Sequence, residues 1–345
     1  MVCKTRCGLL ADAEGQEMTS FPTALGLSAE QAQDVVRQAG LAPSLHNSQP
    51  WRFRLLPHAI ELHSDPQRRL PAADPEDREL RLACGAALLN LRLALEHAGV
   101  RPVVTLLPRL TAPTALAEVR SGGQTTQAPE EQELYRAIPQ RRSNRRPFLE
   151  TPVPTEYRHA LATAVRREQG WLHVMKRPEL GALEGLVHRA HRAQMADARF
   201  REELGRWTGR PTGAVEGVPA AAAGPQPEPQ DQWVLRDFSG GEARARVPGK
   251  DFEYEPLLVV VCSHHGSRLA DLQAGQAMQR MLLTATAHGL AASLLSEVVE
   301  VADTREELQR LLGGTLYAQA LVRLGYGSPT LATPRRDVRD LLIND

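Results

Sequence analysis

Hydrophobic and polar positions follow two different periods along this chain. Residues 51–55 alternate apolar and basic side chains, which predicts a strand with one buried face. Residues 257–262 are nearly all apolar, which indicates a central strand with both faces buried. Residues 28–39 carry apolar side chains at helical spacing and begin with a capping box of Ser28 and Gln31. The chain is therefore predicted to mix strands with helices.

The other periodic segments are separated by glycine and proline. Further strands are predicted over residues 60–63, 100–107, 116–120, 171–175, 292–295 and 320–324. Further helices are predicted over residues 77–97, 130–138, 155–167, 178–206, 269–288 and 304–312. An irregular leader over 1–27 and a linker over 121–129 interrupt the pattern. Residues 208–232 hold five prolines and four glycines, which predicts a disordered surface loop or a lid.

Two of the long predicted helices resemble each other. Small residues begin at Gly85 in one and at Gly275 in the other, and Gly99 and Gly289 follow fourteen residues later. This similarity favours an internal duplication, although any two core helices can share such a pattern. The chain has two special loops with distinctive sequences, residues 43–51 and the arginine run at 141–148, and one falls in each half. We therefore expect one composite site where two similar halves meet.

Composition narrows the classes of partner. Lys plus Arg and Asp plus Glu both total 41, and this zero net charge argues against a nucleic-acid or membrane partner. The four cysteines include no CxxC pair, which favours unpaired reduced thiols. No apolar run approaches the roughly 20 residues of a membrane span, and the N-terminus lacks the apolar core of a signal peptide. We therefore expect a cytoplasmic protein.

The run Arg141-Arg142-Ser143-Asn144-Arg145-Arg146-Pro147-Phe148 is the first candidate for binding chemistry. Arginine stays charged at any useful pH and presents a planar fork of donors that matches phosphate. Ser143 adds a neutral donor in the same place. The run is either a phosphate site or a solvated charge run in a connector, and the surrounding residues decide between them.

Several motifs together resemble those of the FMN-dependent nitroreductase superfamily. Pro43-Ser44-Leu45-His46-Asn47-Ser48-Gln49-Pro50-Trp51 resembles the P-S-x-x-N-x-Q-P-W loop of that family. A short helix leading into the arginine run resembles its opening segment, and Thr151-Pro152-Val153-Pro154 resembles the step that follows. Leu324-Gly325-Tyr326-Gly327 and the later Pro334-Arg335-Arg336 resemble its C-terminal segment. The proline-rich insertion is similar to that of the actinobacterial Acg-type branch, in which two halves are fused.

The resemblance implies an α+β, nitroreductase-like fold with two related halves in one chain. Mixed or antiparallel sheets packed by helices would form an intramolecular pseudo-dimer. The first half would span residues 28–125 and the second residues 126–345, with the lid-like insertion at 208–232. Such a chain would be a monomer through its fused halves, or a weak homodimer.

The resemblance also implies which residues hold FMN. The phosphate would be bound by Arg141, Arg142, Ser143 and Arg145, with Arg335 or Arg336 returning from the C-terminus. Pro43, Ser44 and Leu45 would lie near the isoalloxazine ring, and Asn47 and Gln49 would belong to the same loop, with the Asn47 amide at the polar edge of the ring. Backbone N–H groups of Leu295, Ser296 and Glu297 would face the flavin N5. Trp51 is expected in the sheet core.

The function implied is reduction of small-molecule electron acceptors, such as nitro compounds or quinones, by NAD(P)H through a flavin ping-pong cycle. No metal is expected, and no side chain is assigned as general acid or base because the flavin carries hydride. His46 is either a polar loop residue or a candidate for that role. Leu45 and His46 are bulky for their loop positions, and the insertion could close the pocket. The alternative is therefore an FMN-binding or sequestering protein with a lid-occluded site and little or no reductase activity.

Overall fold

The computed structural model describes residues 21–108, 112–211, 213–242, 246, 252–253 and 255–343. Its first sheet is antiparallel, with strands in the order β1-β2-β4-β3. These strands are β1 (Trp51–Leu56), β2 (Ala59–Ser64), β3 (Val100–Leu106) and β4 (Ala115–Gln124). Helix α1 (Ala29–Ala39) precedes the sheet, and α2 (Arg78–His97) connects β2 to β3.

The second sheet repeats the topology of the first. Its strands are β5 (Trp171–Val174), β6 (Leu257–Ser263), β7 (Ala291–Leu294) and β8 (Tyr317–Gly325), antiparallel in the order β5-β6-β8-β7. The other helices are α3 (Pro129–Ala137), α4 (Thr155–Arg167), α5 (Arg177–Ala196), α6 (Ala198–Trp207), α7 (Arg268–Ala287), α8 (Glu297–Glu300) and α9 (Ala302–Leu311). Helix α7 connects β6 to β7 as α2 connects β2 to β3. The fold is α+β with two related halves in one chain.

Helices α2 and α7 cross at two glycines. A Cβ on Gly85 would lie 2.2 Å from the Leu272 carbonyl oxygen, and a Cβ on Gly275 would lie 2.1 Å from the Leu82 carbonyl oxygen. Gly85 thus contacts Leu272, three residues before Gly275, and Gly275 contacts Leu82, three residues before Gly85. This reciprocity is the property of a two-fold dimer interface, here within one chain.

The segment that follows each sheet packs against the other sheet. Ser143 forms a parallel bridge with Ala292 of β7, and the Asn144 N–H donates to the Ala292 carbonyl at 2.8 Å. The C-terminal segment returns to the first sheet, where the Ile343 N–H donates to the Phe53 carbonyl at 2.8 Å. These contacts bring the arginine run and the C-terminal arginines to the seam between the halves.

Short-range signals placed most elements correctly. The predicted capping box is present, with Gln31 donating its N–H to the Ser28 hydroxyl at 3.2 Å and accepting the Ser28 N–H at 2.9 Å. Trp51 is fully buried in an apolar core that also contains Val259 and Val322 of the second sheet. Its predicted place in the sheet core is confirmed.

Two predictions of secondary structure are wrong in part, and one short helix was missed. β4 extends to Gln124 through the supposed linker, because residues 121 and 124 pair with 102 and 100 of β3. The helix predicted over 178–206 is divided into α5 and α6, since Asp197 ends the first and caps the second. Helix α8 has too few residues to give a periodic signal and was not predicted.

The proline-rich insertion is packed against the protein. Val218 and Ala222 within it are buried, and so is Trp233, which follows it directly. The described part of the insertion is therefore packed, and its role as a lid stays a prediction. Residues 1–20 of the leader, with Cys3 and Cys7, lie outside the described residues, whereas Cys84 and Cys262 are buried free thiols. Within the described ranges, no helix has both the length and the apolarity to cross a membrane.

Candidate functional site

A cavity lies between the two halves, with about 510 Å³ of empty space that includes open solvent. The first half lines it with residues 43–46 and with Glu79, Leu82 and Ala83 of α2. The second half lines it with Ser143, Arg145, Phe238, Met278, Leu294 and Ser296. This central cavity therefore collects residues from both special loops, as expected for a composite site.

The loop after α1 reaches the cavity by a strained backbone path. His46, Asn47 and Gln49 have left-handed φ angles of 51°, 56° and 52°. Such conformations cost about 1–3 kcal/mol each for residues other than glycine, so surrounding contacts must hold them. One such contact is the Gln49 N–H donating to the Ser44 hydroxyl at 2.9 Å. The path leaves Pro43, Ser44 and the next two residues on the cavity wall.

Asn47 does not line the cavity. Its amide nitrogen donates to the Gly217 carbonyl at 3.0 Å and to the Pro334 carbonyl at 3.1 Å. Its amide oxygen accepts a hydrogen bond from Arg335 at 2.9 Å. The prediction that this amide faces a ligand is therefore wrong, because segments far away in sequence occupy it. Asn47 instead holds Arg335 and the insertion in place.

Gln49 and Arg336 are also turned away from the cavity. Gln49 donates to the Val215 carbonyl at 2.8 Å and accepts the Arg336 N–H at 2.9 Å. The Arg336 guanidinium lies 3.5 Å from the Asp65 carboxylate and donates to the Asp340 carbonyl at 2.6 Å. Of the two C-terminal arginines left open by the sequence, the structure therefore brings Arg335, not Arg336, to the site, and Gln49 braces the loop.

Three guanidinium groups gather beside the cavity. Arg145 lines it, Arg141 is buried with 5% exposure, and Arg335 donates to the Ala42 carbonyl at 3.1 Å. Arg141 and Arg335 both donate to the Leu41 carbonyl, at 3.4 and 3.3 Å, so their like charges lie side by side. Across the part of the chain that the structure describes, no carboxylate lies within 4.0 Å of these three groups.

Burial of this uncompensated charge weakens proton binding by all three arginines. Burial, followed by the neighbouring charge of Arg335, lowers the pKa of Arg141 to about 9. Burial also lowers the pKa of Arg145 and of Arg335 to about 10. The Arg141 Nε has no hydrogen-bond partner among the described residues. Buried cations and donors in this state are costly, and an anion with several acceptor oxygens would relieve the cost.

Ser143 and Arg142 differ in their positions. Ser143 lines the cavity next to its bridge with Ala292. Arg142 is half-buried and donates to the Pro139 and Arg141 carbonyls at 2.7 and 2.9 Å. It therefore adds positive charge near the cluster without lining the cavity.

The three residues after β7 are not equivalent. Ser296 lines the cavity just before α8, where N–H groups have no intrahelical partner. Leu295 donates its N–H to the Leu321 carbonyl at 2.9 Å and buries its side chain in the second core. The prediction that the Leu295 N–H faces a ligand is therefore wrong, because the sheet uses it. Glu297 is buried and begins α8.

His46 lines the cavity and is almost fully buried, with 2% exposure. Neither ring nitrogen has a partner among the described residues. Burial, then the charge of Arg236, lowers the pKa of His46 to about 3, so the ring is neutral at ordinary pH. A neutral imidazole offers a ligand one donor and one acceptor, but it is not a charged acid.

Glu79 also lines the cavity, and nothing in the sequence pointed to it. An acidic residue in the first turn of a helix normally lies at the surface, where its negative charge interacts favourably with the helix dipole. Here the Asp74 carboxylate accepts the Leu80 N–H at 2.8 Å, and Glu79 is buried with 9% exposure. Burial raises the pKa of Glu79 to about 8. Only the folded arrangement reveals this residue.

A segment beyond the predicted insertion, residues 233–239, lies against the cavity; we call it the covering segment. Arg236 is buried and pairs with Glu300 at 2.8 Å and with the Gln194 side chain at 2.7 Å. This anchor places the Phe238 ring on the cavity wall, with its centroid 4.2 Å from the Arg145 guanidinium carbon and 6.1 Å from the His46 ring. The segment has no distinctive sequence pattern, so its role emerges only from the structure.

No protein-family model matches the sequence. The protein "Putative NAD(P)H nitroreductase Rv3131" of Mycobacterium tuberculosis H37Rv is 33% identical over 334 residues, covering 94% of this chain and 93% of that protein. "Putative NAD(P)H nitroreductase acg" of the same strain is 32% identical over 314 residues, covering 89% and 93%. A nitroreductase crystal structure with FMN from Desulfovibrio desulfuricans is 18% identical, with a TM-score of 0.35, and the match covers 64% of this chain and 98% of that one. The near-complete alignments with the two mycobacterial proteins show that this chain belongs to the nitroreductase family of oxidoreductases, in its Acg-type branch.

Proposed function

We propose that this chain binds FMN in the central cavity and passes electrons from NAD(P)H to small organic acceptors such as nitro compounds or quinones. The observation that carries the proposal is the cluster of Arg141, Arg145 and Arg335, which lacks carboxylate partners among the described residues and adjoins a cavity built by both halves. The phosphate of FMN supplies the acceptor oxygens that these donors need. The mycobacterial relatives are named for NAD(P)H, which supports a nicotinamide as the electron donor.

The residues present fit the two ends of FMN. Arg141, Arg145, Ser143 and Arg335 would hold the phosphate, with Arg142 adding charge nearby. At the other end, the flat ring would lie among Pro43, Ser44, Leu45, Leu82, Ala83, Met278 and Leu294. Apolar walls with a few placed polar groups are typical of cofactor pockets.

The division into halves belongs to the same proposal. We infer that residues 28–125 form the first half and residues 126–345 the second, with the insertion at 208–232 and the covering segment closing the site. Each half contains one sheet with the same strand order. Because both halves supply walls of the cavity, neither alone would hold the cofactor.

Bound FMN would accept a hydride from a nicotinamide and deliver it to an acceptor. The chain would fix the position of the cofactor, limit water and offer hydrogen bonds at the ring. Ser296 could donate its backbone N–H to the ring, and the neutral His46 has two free nitrogens on the same cavity. These contacts favour a tightly held, oriented cofactor.

The decisive experiment is anaerobic addition of NADH or NADPH to the purified, FMN-loaded protein. We expect at least one of the two to bleach the visible flavin band completely, and a quinone added afterwards to restore it. A preparation that contains no FMN and cannot be reconstituted with it would refute the proposal at its first step. A flavin band that resists both nicotinamides but disappears with dithionite would refute the NAD(P)H step alone.

The covering segment favours a second candidate function, an FMN-sequestering protein whose site is closed to acceptors. Phe238 occupies the cavity wall and is held there through the buried pair of Arg236 and Glu300. If this ring limits access, Phe238→Ala should raise the rate of bleaching by about tenfold, equivalent to about 1.4 kcal/mol in the barrier. Stopped-flow absorbance at saturating FMN measures this rate.

Val215→Ala is the matched control for Phe238→Ala. Val215 belongs to the insertion at 208–232, which precedes the covering segment, but it is 49% exposed and does not line the cavity. Its truncation should leave the bleaching rate unchanged. Sequestration is supported if the parent protein is not bleached and Phe238→Ala is; an equal rate in parent and Phe238→Ala shows that the ring does not restrict access.

A further inference from the structure

Glu79 stands between the central cavity and a second cavity, which has about 340 Å³ of empty space including open solvent. The outer cavity lies where the start of α2 faces α8 and α9. Asp74, Glu76, Arg78, Glu300 and Arg305 line it together with Glu79. Glu76 has a side chain that is 60% exposed, so this cavity reaches solvent. Among the described residues, Glu79 alone lines both cavities.

The state of the Glu79 carboxyl is unusual for an acidic side chain. It is 9% exposed, and its Oε1 has no hydrogen-bond partner among the described residues. Burial raises its pKa to about 8, despite the lowering effect of Arg78, so the carboxyl holds its proton at neutral pH. The charged groups that face it from the surrounding elements are Arg78, Asp74, Asp271, Glu300, Arg236 and Arg305.

The proposed reaction has a proton requirement that the cofactor does not meet alone. A quinone becomes a hydroquinone by gaining two electrons and two protons, which arrive as one hydride and one proton. A nitro group becomes a nitroso group and water by gaining one hydride and one proton. In each case protons must enter the cavity during every turnover, and general acids supply them most effectively when their pKa is close to the working pH.

We propose that Glu79 is the proton donor to the oxygen of the bound acceptor and is reprotonated from solvent through the outer cavity. This inference rests on the proposed function. In the donating step the Glu79 O–H bond breaks as the acceptor O–H bond forms, and the carboxylate then takes a proton from water. Asp74, whose pKa burial raises to about 6, and the exposed Glu76 lie on that outer side.

The test separates the two half-reactions of the FMN-loaded protein. The protein is reduced with one equivalent of dithionite and mixed with a quinone, and flavin reoxidation is followed from pH 6 to pH 10. In the parent protein the rate should fall as pH rises through about 8, because Glu79 then loses its proton. Glu79→Gln should lower the rate at pH 7 by about a hundredfold and remove this fall. The rate at which NAD(P)H bleaches the flavin of Glu79→Gln should stay near that of the parent, because the nicotinamide brings its own hydride.

A second readout needs neither FMN nor turnover. Glu79 has its pKa raised from 4.5 to about 8 on folding, so the stability it contributes is lost as pH rises between these values. A glutamine at this position does not titrate, so its contribution to stability does not change with pH. The unfolding free energy of Glu79→Gln minus that of the parent, measured on FMN-free protein, should therefore rise between pH 4.5 and 8 and stay level above.

Glu96→Gln is the matched control. Glu96 lies on the same helix and burial also raises its pKa, but it borders neither cavity. It should keep the parent's reoxidation rate and pH profile. The proposal is overturned if Glu79→Gln keeps the parental fall near pH 8, if it slows bleaching and reoxidation equally, or if the stability difference does not change with pH. Failure of NAD(P)H to bleach the parent refutes the proposed electron donor, whereas the dithionite experiment still decides the role of Glu79.

Discussion

Gly275→Ala is expected to destabilise the folded protein by about 3 kcal/mol, the upper end for adding carbon to a packed core. The new Cβ would lie 2.1 Å from the Leu82 carbonyl oxygen and 2.9 Å from the Gly85 Cα. Both are backbone atoms of α2, so no side chain can rotate to relieve the overlap, and the helices must separate. Urea unfolding of the FMN-free protein, followed by far-UV circular dichroism, measures the loss.

A helical glycine without neighbours provides the control for Gly275→Ala. Gly181 lies within α5, and a Cβ there would meet nothing within 4 Å. Gly181→Ala should therefore gain about 0.5–1 kcal/mol, since alanine restricts the unfolded chain and favours helix. If Gly275→Ala were as stable as the parent, the close crossing of α2 and α7 would not exist as described.

Gly275→Ala should also weaken FMN retention. α2 and α7 cross beside the cavity, which Leu82 and Ala83 line from one helix and Met278 from the other. Pushing the helices apart widens the cavity at the place proposed for the ring. Gly181 does not line the cavity, so Gly181→Ala should retain FMN as the parent does.

Elements whose determinants are local were predictable from the sequence. The capping box of α1 joins residues three apart, and the alternating pattern of β1 follows from burial of one face. The glycines of the duplicated helices could be matched because their spacing survives in both halves. The resemblance to nitroreductase motifs then placed Ser143, Arg145 and the Pro43 loop in one site, and the structure brings these residues to one cavity.

What could not be predicted depends on partners distant in sequence. The Asn47 amide looked free in its loop, yet it bonds to carbonyls 170 and 287 residues away. Glu79 reads as an ordinary first-turn carboxylate until the second half buries it. Residues 121–124 have loop composition but form strand, because β3 supplies the pairing. Sequence periodicity carries no information on which side chain a remote segment will cover.

Arg141→Leu is expected to shift cofactor affinity and FMN-free stability in opposite directions. A buried charge-assisted hydrogen bond is worth about 1.5–3 kcal/mol, so FMN should bind roughly ten- to a hundredfold more weakly. Without ligand, Arg141 is a buried cation whose Nε lacks a partner among the described residues. An apolar side chain removes the cost of the buried charge, so the FMN-free protein should gain about 1 kcal/mol. Fluorescence titration with FMN and thermal unfolding of the FMN-free protein measure the two effects.

Riboflavin separates the phosphate contact from all others, because it carries the same ring without the phosphate. Arg141→Leu should leave riboflavin affinity unchanged if Arg141 serves the phosphate end, and Arg166→Leu, at an exposed position on α4, should change neither affinity nor stability. An equal loss for FMN and riboflavin would move Arg141 to the ring end of the site. Loss of stability in the FMN-free variant would mean that the guanidinium supports the fold itself. Weaker FMN binding together with higher stability of the FMN-free protein is expected only if the arginine cluster is a preformed binding site for an anion. Such a site lowers the stability of the empty protein.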